Sequence, residues 1–316
     1  MTVALKLKNL GKTYAVGRNL IGKPKGHVHA VRPFSLDVAT GDTLGIVGES
    51  GCGKSTLARM LVGLLTPTEG HLEVEGETLD GKAPAEFGRM IQYVFQDPIS
   101  SLNPRKTIRQ IIEQPLIHLH GINKAEREAR ILEIFDQVNL RPEFLNRRPH
   151  EFSGGQAQRI GIARALAANP RILVLDEPVS ALDVSVQAQV INLLADLKEK
   201  LGLTYVFISH DLAVVEAVCD RVAVMYFGSV VEMGDAQEIF TDPCHPYTKL
   251  LAESAPVMGT NVRRTEAANA ELPDPMNPPK GCAFAARCTM ATELCRKTEP
   301  NLSNRNDSHL VACHHA

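Results

Sequence analysis

The clearest candidate for chemistry in this sequence is one glycine-rich segment, Gly48-Glu49-Ser50-Gly51-Cys52-Gly53-Lys54-Ser55-Thr56. It fits the pattern G-x-x-x-x-G-K-[ST], in which glycines let successive backbone N–H groups turn toward one anion. A helix that begins at the end of such a loop adds its positive N-terminal end. We expect Lys54 to reach the β- and γ-phosphates of a nucleotide and Ser55 to ligate Mg²⁺. A chance match in a glycine-rich turn is disfavoured by the apolar run before the segment and the helical pattern after it.

Two adjacent acids, Asp176 and Glu177, follow the apolar run 172–175. An acid at the carboxyl end of a buried parallel strand lies at the sheet edge where nucleotides bind. We expect Asp176 to help hold Mg²⁺, directly or through water, and Glu177 to orient and polarise the attacking water. Alone, such a pair could equally be a helix cap or a solvated loop. The apolar run and the phosphate loop together favour the catalytic interpretation.

A second candidate anion site is the segment Ser153-Gly154-Gly155-Gln156, which precedes a predicted helix. One nucleotide does not need two such sites so far apart in the chain. Two facing subunits would use both, because each nucleotide would lie between the loop of one subunit and the Ser-Gly-Gly segment of the other. For this segment by itself, an ordinary glycine-containing helix N-cap is the alternative.

The surrounding elements must bring these segments to one edge of a sheet. The periodicity predicts short strands over 1–47, a helix from 54 to about 65, strands at 71–76 and 90–95, and mostly helix over 107–145 with breaks at Pro115 and Gly121. Further on it predicts strands at 171–175 and 204–208, a helix over 185–200, two strands around Gly228 and a short helix ending near Ser254. Strands that alternate with helices indicate an α/β fold with a largely parallel sheet.

With these motifs in place, the chain resembles the ATP-binding cassette (ABC) ATPases over roughly residues 3–250. The family's motifs occur in order: the loop at 48–55, Gln96 after a strand, Phe152-Ser153-Gly154-Gly155-Gln156, Asp176-Glu177, Ser180-Ala181-Leu182-Asp183, and His210 after a strand. Phe152 stands where the family most often has Leu. The resemblance implies a P-loop NTPase with a RecA-like core, an antiparallel β subdomain and a helical subdomain at about 97–168, in an ATPase domain over 1–254.

The resemblance also implies a role for individual residues around Mg-ATP. Tyr14 would stack on adenine, although a core or surface tyrosine is the alternative, and Cys52 is not needed by the chemistry. The Ser-Gly-Gly segment (residues 153–156) would act on ATP held by the opposite subunit, and Asp183 would belong to the nucleotide-binding set. Gln96 would contact Mg²⁺ and water and link the site to a membrane partner. The catalytic candidates are then Lys54, Glu177 and His210, with His210 on the γ-phosphate, and the Mg²⁺ candidates are Ser55, Gln96 and Asp176.

Other segments resemble the dipeptide and oligopeptide importer branch, and its second ATPase subunit in particular. They are Gln96-Asp97-Pro98-Ile99-Ser100-Ser101-Leu102-Asn103-Pro104-Arg105, His245-Pro246-Tyr247-Thr248, and a proline-rich stretch with a cysteine tail. This implies a homologous second ABC ATPase, two polytopic membrane permeases and, indirectly, an external binding protein. The chain would lie peripherally at the cytoplasmic face of the bacterial inner membrane. Importers of nickel, glutathione and antibiotic peptides share the branch, so the cargo stays open.

The C-terminal extension, residues 255–316, combines a proline-rich linker with four cysteines, Cys282, Cys288, Cys295 and Cys313. Four thiolates suit a [4Fe–4S] cluster or a tetrahedral Zn²⁺ ion. The absence of a C-x-x-C pair favours the cluster, and the resemblance implies it, because related importer ATPases carry one. His309, His314 and His315 leave zinc open, and four free cysteines in a flexible tail are a third possibility. We expect a structural or sensing role.

Composition narrows the functional class further. The 316 residues carry a formal net charge of -2, so no global basic field gathers nucleic acid. No apolar stretch approaches the roughly 20 residues that span a bilayer. The alternating N-terminus indicates a strand and not a signal peptide. A soluble ABC ATPase acting on DNA or ribosomes would be expected to show tandem cassettes or basic patches, and a purely regulatory module would not need Glu177 and His210.

Overall fold

The computed structural model describes residues 2–18, 24–78, 84–254, 272–306 and 308–316. The strands are β1 (Val3–Arg18), β2 (Pro24–Ala39), β3 (Thr43–Val47), β4 (Glu69–Val74), β5 (Glu77–Thr78), β6 (Ile91–Val94), β7 (Ile172–Asp176), β8 (Thr204–Ser209), β9 (Arg221–Tyr226), β10 (Ser229–Asp235), β11 (Ser303–Asn304) and β12 (Leu310–Val311). The helices are α1 (Lys54–Leu61), α2 (Pro84–Met90), α3 (Ile108–His118), α4 (Lys124–Gln137), α5 (Gly154–Leu166), α6 (Val184–Leu201), α7 (Leu212–Val218), α8 (Ala236–Thr241), α9 (Pro246–Ser254) and α10 (Glu293–Lys297).

Two sheets organise these elements in the part of the chain that the structure describes. One has the order β2-β1-β4-β5 and is antiparallel, as expected for the predicted β subdomain. The other has the order β11-β12-β10-β9-β3-β8-β7-β6, and its strands from β9 to β6 run parallel. The strands β3, β7 and β8 are buried at every residue, which explains their continuous apolar sequences. Because these strands are parallel neighbours, their carboxyl ends lie at one edge of the sheet, and the segments that follow them lie close together at that edge.

Of the short strands predicted over 1–47, β3 is confirmed, but those before it are wrong in length, because β1 and β2 each run for 16 residues. They form one antiparallel ribbon whose register shifts repeatedly, first between Val3 and Leu5. Such irregularities break the strict alternation from which strand length is judged in sequence. The helix predicted to reach about residue 65 ends at Leu61, because Gly63 turns the chain at φ 69°.

The helical segment between β6 and β7 contains α3, α4 and α5. Helix α3 has a complete capping box, in which Thr107 and Gln110 bond to each other's backbone N–H groups. The predicted break at Pro115 is wrong, because α3 continues through it to His118. The apolar residues Ile111, Ile112 and Leu116 bury one face of the helix and outweigh the backbone hydrogen bond that Pro115 cannot donate. The predicted break at Gly121 is confirmed, since it lies between α3 and α4.

The described part of the C-terminal extension continues the main sheet. In the antiparallel pairing of β12 with β10, Glu232 lies opposite Val311. His309 Nε2 lies 2.7 Å from Glu232 Oε1, and both side chains are fully buried. The sheet therefore crosses the boundary predicted at residue 254. Residues 255–271 of the predicted linker lie outside the described residues. Among the described helices, none has the length and hydropathy that a transmembrane segment requires.

Candidate functional site

A cavity of about 660 Å³ opens at the carboxyl edge of the parallel strands. It receives the loop after β3 and the residues that directly follow β7 and β8. The predicted residues that line it are Glu49, Ser50, Gly51, Gly53, Lys54, Ser55, Thr56, Gln96, Glu177 and His210. Four sequence segments therefore converge on one space whose volume lies in the range of small-ligand pockets.

The phosphate loop (residues 48–56) wraps around the ammonium group of Lys54. Lys54 Nζ donates hydrogen bonds to the carbonyl oxygens of Gly48 at 2.6 Å and Glu49 at 3.0 Å, and its side chain is buried. Gly53 ends the loop at φ 111°, and a Cβ atom there would lie 2.2 Å from the carbonyl oxygen of Ala30. A side chain is excluded at that position on both grounds. The loop is thus closed tightly around its own lysine, which is the first residue of α1.

Asp176 and Ser55 come together as the predicted Mg²⁺ ligands. Asp176 is only 5% exposed, and burial raises the pKa of its carboxyl group. The hydroxyl groups of Tyr93 and Ser55 hydrogen-bond to this carboxylate and oppose that rise, whereas the neighbouring Glu177 adds to it. Burial and, after it, the bond to Asp176 raise the pKa of Tyr93, so its phenol remains a donor. Sequence reasoning missed Tyr93, although its place on β6, the strand paired with β7, explains the contact.

We expect Tyr93→Phe to move the acid limb of Mg²⁺-dependent ATP hydrolysis to higher pH. At the predicted site Mg²⁺ would bind the ionised carboxylate. Loss of a donor to that carboxylate raises the pKa of Asp176, so protonation would compete with the metal at higher pH. The shift should be on the order of one pH unit, since hydrogen bonds to charged groups contribute about 1.5–3 kcal/mol. Activity against pH at limiting Mg²⁺ measures it.

Tyr205→Phe is the matched control for this prediction. The Tyr205 hydroxyl also donates a buried hydrogen bond, at 2.9 Å, but its acceptor is the carbonyl oxygen of Leu194. This variant should leave the acid limb in place. If the acid limb of the pH–activity profile were the same in both variants and the wild type, the role assigned to Tyr93 would be contradicted.

Glu177 is held by three contacts at the edge of the cavity. Its backbone adopts φ 47°, which is unusual for a residue with a side chain, and its N–H donates to the carbonyl oxygen of Ile208 at 2.8 Å. Gln96 Nε2 donates to Glu177 Oε2 at 2.8 Å, and His210 Nδ1 lies 3.2 Å from Oε1. Three candidate residues that are distant in sequence therefore meet through one carboxylate. The arrangement suits a carboxylate that orients a water molecule against a phosphate.

The Ser-Gly-Gly segment does not line this cavity. Ser153 caps α5, and the side-chain oxygen of Gln156 accepts a hydrogen bond from the Ser153 N–H, which completes a capping box. A Cβ atom on Gly155 would lie 2.4 Å from Val186 Cγ1, so close packing against α6 requires glycine there. Ser153 and Gly154 are exposed. The segment is available to a group outside this chain's own cavity.

Besides Gly48 and Asp176, three other predicted residues lie outside the cavity lining. Tyr14 is 38% exposed and pairs across the β1–β2 ladder with Val28, which does line the cavity. Asp183 is the N-cap of α6, and the N–H of Val186 lowers the pKa of its carboxyl group. Cys52 lies within the loop and is almost fully buried, and burial raises the pKa of its thiol. Contacts of Tyr14 and Asp183 with a nucleotide stay predictions.

Other residues line the cavity that were not predicted from the sequence. They are His29, Ala30 and Arg32 from β2, Phe227 and Gly228 after β9, and Pro275 and Pro278 from the C-terminal extension. None of these belongs to a recognisable motif, because their places in the wall depend on how β2 and the extension pack. The extension therefore borders this cavity.

Two groups of potential metal ligands lie outside the cavity. The four cysteines of the extension line one small cavity together with His245 and Phe284. Elsewhere in the described ranges, Glu232, Cys244 and His309 bring three ligand atoms within 4.8 Å of one another. The Arg305 guanidinium contacts Cys244 Sγ and opposes a cation at that second group. The second group was not predicted from sequence.

A closed phosphate loop at the edge of a parallel sheet, with adjacent acids and a histidine beside it, defines a nucleotide hydrolase of the P-loop class. A family model described as ABC transporter matches residues 31–180, and one described as oligopeptide/dipeptide transporter, C-terminal region, matches residues 231–295.

Individual relatives extend these matches to nearly the whole chain. The chain is 49% identical to the dipeptide transport ATP-binding protein DppF of Haemophilus influenzae, over 99% of this chain and 97% of that relative. It is 47% identical to the oligopeptide transport ATP-binding protein AppF of Bacillus subtilis, over 98% and 96%. A solved dimeric cassette, MJ0796 bound to ADP and phosphate, aligns with 33% identity and a TM-score of 0.65 over 73% of this chain and 98% of that one. The chain belongs to the dipeptide and oligopeptide branch of the ABC transporter ATP-binding proteins, and it is an ABC-type ATPase.

Proposed function

We propose that this chain is the ATP-hydrolysing subunit that powers import of dipeptides or oligopeptides through a membrane transporter. The observation that carries the proposal is the meeting of Gln96, Glu177 and His210 beside the phosphate loop. The relatives named for dipeptide and oligopeptide transport, at 49% and 47% identity, support the choice of cargo class.

In the proposed mechanism, two ATPase subunits close on two ATP molecules. Lys54 would leave its loop carbonyls for the β- and γ-phosphates, and Ser55 and Asp176 would hold Mg²⁺, which when bound neutralises charge on the phosphate oxygens. Glu177 would orient and polarise the water for in-line attack, and His210 would hold the γ-phosphate. The Ser-Gly-Gly segment of the opposite subunit would cover the same triphosphate with its helix N-terminus.

We further propose how the chain is arranged in a transporter. A homologous second ATPase would complete the sandwich, and two polytopic permeases would contact the surface near Gln96. An external binding protein would act indirectly, and the chain would sit peripherally at the cytoplasmic face of the inner membrane. The ATPase domain would span residues 1–254, with its helical subdomain at about 97–168, and the extension would span 255–316.

Reconstitution tests the function directly. The chain, its partner ATPase and the two permeases are placed in vesicles, and uptake of a labelled dipeptide is followed with the external binding protein present. Uptake should require ATP and fall to background with Lys54→Ala, because the triphosphate loses its main countercharge. Uptake of nickel or glutathione but not peptide would refute the cargo, and uptake that survives Lys54→Ala would refute the motor role.

For the four cysteines of the extension, we propose a [4Fe–4S] cluster with a structural or sensing role. Their convergence on one small cavity supports a shared ligand, and thiolates are the donors that iron–sulfur clusters use. The absence of a C-x-x-C pair, the usual spacing for structural zinc, favours the cluster over tetrahedral Zn²⁺. Iron and acid-labile sulfide analysis of anaerobically purified protein tests this. Colourless protein that contains zinc would refute it.

A further inference from the structure

An ion pair links the C-terminal extension to the phosphate loop across 238 positions of sequence. Arg287 Nη1 donates to Glu49 Oε2 and Arg287 Nη2 donates to Glu49 Oε1, each at 2.8 Å. The two parallel bonds form the bidentate geometry that a guanidinium group makes with a carboxylate. Arg287 has only 3% of its side chain exposed, whereas Glu49 has 31%. The arginine is thus a fixed part of the interior, and the glutamate faces the cavity.

The position of Arg287 is set by its surroundings. Its guanidinium lies 5.5 Å from the ring centre of Phe284 and 5.7 Å from that of Tyr226. The hydrogen bonds to Glu49 raise the pKa of Arg287, so it stays charged despite burial. A buried guanidinium that lost its carboxylate would be an uncompensated charge, which makes this contact a strong one.

Glu49 connects this ion pair to Lys54. The Glu49 carbonyl oxygen accepts the hydrogen bond from Lys54 Nζ at 3.0 Å, and the Glu49 N–H donates to the Tyr247 hydroxyl at 2.9 Å. The Tyr247 ring in turn packs 5.5 Å from that of Phe284, in the extension. The same residue therefore joins the extension through its side chain and the catalytic lysine through its backbone.

The charge of Arg287 also affects how the loop can bind a triphosphate. Glu49 places a carboxylate in a loop that is built to receive a triphosphate, and like charges at that distance repel. A countercharge on Glu49 removes that repulsion, and in the described chain it is supplied by Arg287. Pro275 and Pro278 of the extension line the same cavity. The extension thus contributes both a wall and a charge to the space for the nucleotide.

We propose that Arg287 is a positioning residue for ATP: it neutralises Glu49 and holds the phosphate loop, which makes the C-terminal extension part of the nucleotide site. The proposal rests on the ATPase function proposed above. It predicts that ATP affinity depends on the charge at position 287, and that this dependence vanishes when Glu49 loses its charge.

The experiment compares Arg287→Lys with Arg287→Met by equilibrium titration with a fluorescent ATP analogue and by steady-state ATPase assays. Both side chains are unbranched and flexible, and only lysine is charged. Arg287→Met should raise Kd and KM about tenfold with kcat at saturation nearly unchanged, whereas Arg287→Lys should stay within about threefold of the wild type. Added salt should reduce the difference in Kd between the two variants. Arg305→Met is the control, because Arg305 is another arginine of the extension but pairs with Asp242.

The double variant Arg287→Met with Glu49→Gln separates charge from packing. Removing the carboxylate should restore ATP affinity to within about threefold of the wild type, because the repulsive charge is gone. Equal Kd for the Met and Lys variants, or no recovery in the double variant, would overturn the proposal. If Arg287→Met fails to fold, Arg287→Gln, which is also uncharged but keeps a polar end group, replaces it in both the single and the double variant, with the same expected values of Kd. Wild-type protein that binds no ATP would instead refute the proposed function.

Discussion

Replacement of Glu177 by Gln is expected to slow ATP hydrolysis by about 10²–10⁴-fold and to leave ATP binding intact. The carboxylate lies at the cavity edge between Gln96 Nε2 and His210 Nδ1. An amide keeps the size and can still accept a hydrogen bond, but it cannot take up or polarise a proton of water. The variant should therefore bind ATP and remain in the ATP-bound state.

Single-turnover release of phosphate measures the chemical step for this variant, and equilibrium titration measures binding. Glu216→Gln is the matched control, because Glu216 is an exposed glutamate on α7 that does not line the cavity. That control should hydrolyse ATP at the wild-type rate. Hydrolysis by Glu177→Gln within tenfold of the wild type would show that another group activates the water.

The second large effect is expected for substitutions of Ser153, which should change the ATP-dependent association of the two ATPase subunits. Asp, Asn and Ser are comparable helix N-caps, so Ser153→Asp and Ser153→Asn both preserve α5. Only Asp places a negative charge where the triphosphate of the opposite subunit would lie. In the Glu177→Gln background, Ser153→Asp should weaken ATP-dependent association by about a hundredfold, and Ser153→Asn by much less.

Sedimentation with Mg-ATP measures this association, and titration of the separate subunit measures its own ATP affinity. The ATP affinity of the separate subunit should be equal in the two variants, because Ser153 does not line the cavity of its own chain. If Ser153→Asp instead weakened ATP binding to its own subunit, or left association unchanged, the shared site would be refuted.

Most of the candidate nucleotide site could be predicted because its groups lie in short contiguous motifs. The phosphate loop, the acids after β7 and the Ser-Gly-Gly cap each need only local backbone geometry, which glycines, an apolar run and a capping serine specify. The order of strands and helices followed from the same local signals. Predictions were wrong where tertiary packing outweighed the local sequence signals. At Pro115, for example, α3 continues because one face of the helix is buried.

By itself the sequence determined the class of chemistry and predicted the residues that would carry it, since a phosphate loop consists of adjacent residues. Only the tertiary structure decided which distant groups support that chemistry. The pairing of β6 with β7 brings Tyr93 to Asp176, and the packing of the extension brings Arg287 to Glu49. Such contacts depend on strand register and burial across the whole chain, so no local pattern could indicate them.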